Sequence, residues 1–170
     1  MNAIDASYVA GFLDGDGSIH FQLVRQKEYR FGFYIRSSVA FSQSSTARSG
    51  LAEIRRLVGA GYLRDRRTGM SDLVITSRPA IIGLLEDVRP FVRFKRVHVQ
   101  RALSLLPRLG RISDPERFLQ LAREVDAFAT LNYSKSKRNS AVDVEQHLRS
   151  KGVLCPCNDS LASYSEGMAS

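Results

Sequence analysis

The feature that most constrains this chain is a pair of alternating runs joined by a short polar turn. Ile19, Phe21 and Leu23 fall on one side of an extended backbone, and Ser18, His20, Gln22 and Val24 fall on the other. After Gln26-Lys27-Glu28 a longer run repeats the pattern. Phe31, Phe33, Ile35, Ser37, Val39 and Phe41 share one side; Gly32, Tyr34, Arg36, Ser38, Ala40 and Ser42 share the other. Strand side chains alternate with a period of two, so the pattern specifies an antiparallel hairpin with one buried and one solvated face.

The flanking segments change period. Residues 6–13 read as a short apolar helix, with Asp5 and Ser7 as candidate caps and Asp14-Gly15-Asp16-Gly17 as its stop. A second helix over 46–58 carries Leu51, Ile54 and Leu57/Val58 as a stripe and ends at Gly59-Ala60-Gly61. Two further strands, 62–66 and 72–76, flank a turn at Thr68-Gly69. Pro79 sits near the start of a helix that runs to about Val88, with Pro90 beyond its end. Another helix spans 95–106, between Lys95 and the stops Pro107 and Gly110. Asp114-Pro115 opens a helix with Phe118, Leu121, Ala122, Val125, Phe128 and Ala129 on one stripe, and 140–148 is a last helix. The expected fold is α+β: an α-β-β-α-β-β-α core with a four-stranded antiparallel sheet and additional C-terminal helices. A single domain over 1–151 is expected, with 152–170 as a disordered tail.

Composition narrows the partner. Lys and Arg number 25 against 17 Asp and Glu, a net charge of +8, which suits a polyanionic partner. No apolar stretch is long enough to span a bilayer and no signal-peptide pattern is present. The two cysteines, Cys155 and Cys157, cannot staple a fold, so an intracellular protein is expected, not a secreted one. Their spacing is too short for a zinc site, and His20, His98 and His147 lack metal-ligand spacing.

Two oddities mark the end of the first helix. Asp14 and Asp16 stand where the helix dipole presents negative charge and unpaired carbonyls, the wrong end for carboxylates. Carboxylates gathered with free carbonyls suit a hard divalent cation such as Mg²⁺; a solvated Asp-Gly turn is the alternative. Gly11 and Gly15 lie on one helical face, although a helical glycine costs roughly 1 kcal/mol against alanine. Small residues at this spacing let two backbones approach closely, across a two-fold axis to a second copy or against a helix of the same chain.

Val9-Ala10-Gly11-Phe12-Leu13-Asp14-Gly15-Asp16-Gly17 resembles the signature of the LAGLIDADG homing endonucleases. Gly59-Ala60-Gly61-Tyr62-Leu63-Arg64-Asp65-Arg66 with Ser71-Asp72 resembles strands three and four of their single-motif members. Pro90 to Lys95 and Ala129 to Lys135 resemble later segments, so the similarity runs from about Ser7 to Ser150. One copy of the motif implies a homodimer, with Gly11, Phe12 and Gly15 at the dimer interface. The resemblance implies an intron-encoded enzyme that hydrolyses both strands of a long, pseudo-palindromic DNA site across the minor groove and leaves short 3′ overhangs. It implies catalytic Asp16, Gln43 and Lys95, and a metal (Mg²⁺ or another divalent cation such as Mn²⁺) held by Asp16 with the Gly15 carbonyl. It leaves the role of Arg48, early in the second helix, open.

The solvent face of the expected sheet agrees with such a substrate. His20, Gln22, Gln26, Tyr34, Arg36, Ser38, Ser42, Arg64, Arg66 and Asp72 include the side chains that read base edges: Arg to guanine, Gln to adenine, carboxylate to cytosine. Ser134 and Lys135 belong to a basic run resembling the family's backbone-contacting loop. Strands of ~9 residues cover ~30 Å, about one turn of major groove, so two subunits would cover about two turns of double-stranded DNA. The rival is a non-cleaving nucleic-acid-binding protein on the same scaffold, an intron maturase or a DNA-binding regulator. The compartment is expected to be a bacterial cytoplasm or an organelle (chloroplast or mitochondrion).

Overall fold

In the computed structural model, which describes residues 1–132 and 139–154, the expected hairpin occupies one half of the sheet. It consists of β1 (Gly17–Arg25) and β2 (Phe33–Ser44). Their register pairs Gly17 with Phe41 and Arg25 with Phe33. β3 (Tyr62–Asp65) and β4 (Met70–Ile75) complete an antiparallel sheet of order β1-β2-β4-β3. The alternation is realised as expected: Ile19, Phe21, Leu23, Phe31, Phe33, Val39 and Phe41 are buried.

The helices follow the expected order and bury the apolar side of the sheet. They are α1 (Ala3–Asp16), α2 (Arg48–Val58), α3 (Arg78–Val88), α4 (Arg96–Leu105), α5 (Pro115–Ala129) and α6 (Ala141–Ser150). Leu13, Phe41, Leu51, Leu73, Leu85 and Leu121 meet in one core cluster. Full burial of a side chain such as Phe41 contributes ~1.5–3 kcal/mol. Phe128 of α5 meets Phe21 edge-on at 4.7 Å, which seats the C-terminal helices on β1. Asp114 caps α5 and Ser140 forms a capping box with Asp143 on α6.

The first helix departs from expectation at both ends. Its cap is Asn2, whose side chain accepts from the Asp5 N–H, so neither Asp5 nor Ser7 caps it. At the other end the helix runs through Gly15 to Asp16. Burial of Ala6, Val9, Ala10 and Leu13 outweighs the glycine cost, so the stop falls at Gly17. Within the segment expected as a tail, the Val153 N–H donates to the Leu148 carbonyl at 3.0 Å and Leu154 packs on the core. The rest of that tail, with Cys155 and Cys157, lies outside the described residues, as do Ser134 and Lys135.

Gly17 makes the abrupt passage from α1 to β1 possible. A Cβ there would lie 2.7 Å from the backbone of Leu13, closer than atoms tolerate. Gly17→Ala should therefore lower stability by about 1–3 kcal/mol, read as a fall in Tm or in the urea midpoint. An unchanged midpoint would show that the turn has more room than this packing implies.

A candidate nuclease centre and nucleic-acid interface

The end of α1 brings together the three residues singled out for catalysis. The Gln43 amide, at the end of β2, donates from Nε2 to Asp16 Oδ2 at 2.7 Å. The Lys95 ammonium, at the head of α4, donates to the Asp14 carbonyl at 2.7 Å. Asp16 is exposed, and Gly15 lies in the last helical turn, whose carbonyls have no acceptor role within the helix. The site thus combines an open carboxylate, an amide that orients it and an ammonium held on the carbonyl two residues earlier in the helix.

Asp14 has a different role from Asp16. Its carboxylate accepts the backbone N–H groups of Arg93 at 2.6 Å, Phe94 at 3.2 Å and Lys95 at 2.9 Å. This resolves one of the misplaced acids: Asp14 serves the turn that enters α4 and is not free for a cation. No sequence signal joins Asp14 to a turn eighty residues away. Among the described residues no group of three or more His, Cys, Asp or Glu side chains could hold a metal ion. At the end of α1 the described residues of one subunit therefore offer Asp16 as the open carboxylate.

The expected reading face is continuous. Rows of cross-strand partners run from the hairpin tip toward α1: Val24 with Tyr34, Gln22 with Arg36, His20 with Ser38, then Ser42 with Asp72 and Arg64. Gln26 is exposed at the tip. Arg36 donates to Gln22 across the strands, so these two readers orient each other. Tyr29, from the turn, stacks on Tyr34 with ring centroids 4.7 Å apart, an extension of the face that the alternation does not reveal. Burial lowers the His20 pKa, which favours the neutral imidazole.

Asp72 is a correction. Expected to reach a base, its side chain is 0% exposed. Oδ1 accepts from Ser42 Oγ at 2.7 Å. Oδ2 accepts from Arg64 Nη2 at 2.7 Å and Arg66 Nε at 2.6 Å. Oδ2 thus holds both arginines while Oδ1 is taken by Ser42, and the exposed parts of Arg64 and Arg66 form the surface. Because Arg66 is held through Nε, its two Nη groups keep the fork that pairs with guanine.

The remaining face of α1 is bare. Ile4 is 81% and Tyr8 57% exposed, and beside them Gly11 and Gly15 have nothing within 4 Å of where a Cβ would stand. Phe12 is partly buried and stacks on Phe41 with centroids 5.7 Å apart. Of the two explanations for the glycines, packing on another helix of the same chain is excluded among the described residues.

A helix-backed antiparallel sheet with a basic, in-register reading face and an acid–amide pair at one end defines a nucleic-acid-processing α+β protein. The model of the LAGLIDADG endonucleases matches residues 9–94, and the chain belongs to that family. It is 28% identical over 146 residues to the DNA endonuclease I-CvuI of Chlorella vulgaris, covering 86% of this chain and 91% of that protein. It is 30% identical over 144 residues to the DNA endonuclease I-CreI of Chlamydomonas reinhardtii, covering 84% and 88%. The crystal structure of I-CvuI with its target in the presence of calcium superposes with a TM-score of 0.85 over 90% of this chain and 98% of that one, at 27% identity. No helix among the described residues is long and apolar enough to cross a membrane.

The Asp72 cluster predicts an acid-sensitive element. Burial pushes its carboxyl pKa up, but the bonds from Arg64, Ser42 and Arg66 outweigh this and hold it below the ordinary value. A depressed folded-state pKa stabilises the fold above the unfolded pKa of about 3.9 and ceases to do so as pH falls through the folded value. Asp72→Asn should be less stable than wild type at pH 7 by about 1–3 kcal/mol, and the gap should be narrower at pH 3, below the unfolded pKa. Urea unfolding at both pH values measures this; a gap that widens on acidification would reverse the assignment.

Proposed function

We infer that the protein is a site-specific homing endonuclease that cuts both strands of a long, nearly two-fold symmetric double-stranded DNA target. The observation that carries this is the Asp16–Gln43 pair standing at the end of a continuous basic reading face. The bare α1 face is suited to a second copy of itself, which would bring two Asp16 carboxylates together at the axis. Each subunit would then cover about one helical turn and the dimer about two.

The donor set fits a divalent cation. Asp16 and the Gly15 carbonyl supply hard oxygens, as Mg²⁺, Mn²⁺ or Ca²⁺ requires, and one subunit supplies too few of them. When bound, the ion lowers the pKa of water and polarises the phosphoryl oxygens for in-line displacement. Gln43 fixes the Asp16 carboxylate and can order a water at the same place. Lys95 adds positive charge where the phosphate would sit. Arg64, Arg66, Arg36 and Gln22 would read base edges in the major groove, with His20, Gln26, Tyr34, Ser38 and Ser42 beside them. Residues 1–151 would act as one unit, in a DNA-bearing compartment of a bacterium or organelle.

Two substitutions test the two halves of this function. Asp16→Asn is nearly isosteric and removes a charge near phosphates. It should fold and bind the target as well as wild type without metal, while cleavage with Mg²⁺ falls by several orders of magnitude. A gel assay reads both, and cutting that survives unchanged would remove Asp16 from the chemistry. Binding without cutting by wild type would favour the maturase or regulator alternative.

Gly11→Leu tests the dimer. The position faces open space, and leucine is the better helix former by just under about 1 kcal/mol, so the subunit should still fold. Close approach of two α1 helices should be lost, with monomers in sedimentation and no double-strand cleavage. A wild type that sediments as a monomer at micromolar concentration would remove the shared site.

A further inference from the structure

His147, on α6, is a side chain that this function does not yet use. α6 is the last helix of the chain, yet its imidazole stands against the turn between β1 and β2. The ring meets Phe33, the first residue of β2, edge-on with centroids 5.5 Å apart. Beside it Gly32 adopts φ +67°, and a Cβ at that position would lie 2.4 Å from His147 Nε2. Glycine is thus required twice, by the left-handed backbone and by the ring that occupies the place of a side chain. Phe31, the residue before it, meets Phe118 of α5 with centroids 5.1 Å apart. Asn139, just ahead of α6, donates to the Leu23 carbonyl at 2.8 Å, so α6 is fastened to the strand whose turn it supports.

Gly32 also closes that turn. Its carbonyl accepts from the Gln26 N–H at 2.8 Å, and its N–H donates to the Tyr29 carbonyl at 2.8 Å. The Tyr29 N–H donates in turn to the Gln26 carbonyl at 3.2 Å. Gln26 and Tyr29 are both exposed, and both are held through the backbone of Gly32. Tyr34 moves with them, because it stacks on Tyr29. The turn lies beyond the last strand pair, Arg25 with Phe33, and glycine loses more conformational freedom on ordering than any other residue. A ring packed against Gly32 removes that freedom at the point where the readers of the turn are joined.

We propose that His147 is a positioning residue for DNA recognition: wedged against Gly32 and Phe33, it sets the turn so that Gln26, Tyr29 and Tyr34 meet the base pairs farthest from the cut. The proposal rests on the endonuclease function above. β1 runs from Gly17 to Arg25. At ~3.3 Å per residue it puts the turn about 26 Å from the Asp16 end. His147 acts through the Gly32 backbone and not by contact with a base, so its loss costs selectivity at the outer end of each half-site and leaves hydrolysis intact.

The test uses the full-length protein, its mapped target duplex, and duplexes that each carry one changed base pair per half-site. His147→Ala should still fold, because Ala141, Val144 and Leu148 keep the buried side of α6. Its preference for the mapped base pair at the outermost positions should fall about fivefold or more, the scale of one lost base contact, while positions nearer the cut keep wild-type ratios. Single-turnover cleavage of the intact target at saturating protein should stay within about twofold of wild type, since no group acting in the transition state is lost. His147→Phe keeps a flat ring against Phe33 and should restore the outer preference. Ile54→Val, a core cut on α2, supplies the pattern of plain destabilisation: a lower Tm with no position singled out. A His147→Ala profile that matches wild type at the outer positions, or that weakens every position alike as Ile54→Val does, overturns the positioning role. An outer loss that His147→Phe fails to restore overturns the part given to the ring. Either result with a wild type that cuts its target overturns this proposal alone; wild type that binds no DNA overturns the nuclease function with it.

Discussion

The Asp14 carboxylate is the joint on which the site depends. A helix C-terminus repels acids, yet here the carboxylate turns onto three backbone N–H groups at the entry to α4. Hydrogen bonds to a charged group are each worth about 1.5–3 kcal/mol, enough to offset an unfavourable dipole. In return the Lys95 ammonium is brought onto the Asp14 carbonyl, where a cation is favoured. Two residues further on, Asp16 is gripped from the sheet side by Gln43. Three elements distant in sequence thus converge on one helix end, and the open carboxylate inherits their rigidity.

A second acid, this one buried, does the same work for the sheet face. Asp72 sits under Arg64 and Arg66 and aims both, with Ser42 filling its other oxygen. Freely rotating arginines would attract any duplex; arginines pinned on one side present their remaining donors in fixed directions, which is what discrimination between base pairs demands. The net charge of +8 suits non-specific attraction to a duplex, and in the proposed function the pinned groups would convert part of it into selectivity.

What was legible in the sequence follows from the range of the forces involved. Period-two alternation is local, so the hairpin and its two faces could be read directly, and the caps Asp114 and Ser140 lie next to what they cap. Within the four-residue stop at 14–17, the exact end of α1 is set by burial of Leu13 and its neighbours, a tertiary effect that carries the helix past Gly15. Asp72 was assigned to the correct face but the wrong depth, since alternation gives the side and not which residue lies beneath its neighbours. Asp14 and Arg48 depend on partners 79 to 81 and 17 positions away, and nothing local marks those pairings. The same holds for Asn132 and Asn139, which donate to the Ile19 and Leu23 carbonyls of the edge strand β1. The grouping of Asp16, Gln43 and Lys95 came from family resemblance, and their proximity is a product of the fold.

The composition of α1 ties assembly to chemistry. Its Ala6, Val9, Ala10 and Leu13 side is needed for the subunit's own core, so that side cannot serve a partner. Ile4, Tyr8, Gly11 and Gly15 line the opposite side, where apolar area and bare backbone gain nothing from water. Covering that side with another α1 is also what would place a second Asp16 beside the first, because the acid ends the same helix. A subunit alone would then carry a complete reading face and an incomplete hydrolytic centre. Cleavage competence would arise only where two reading faces share one duplex, which confines the chemistry to targets long enough and symmetric enough to engage both.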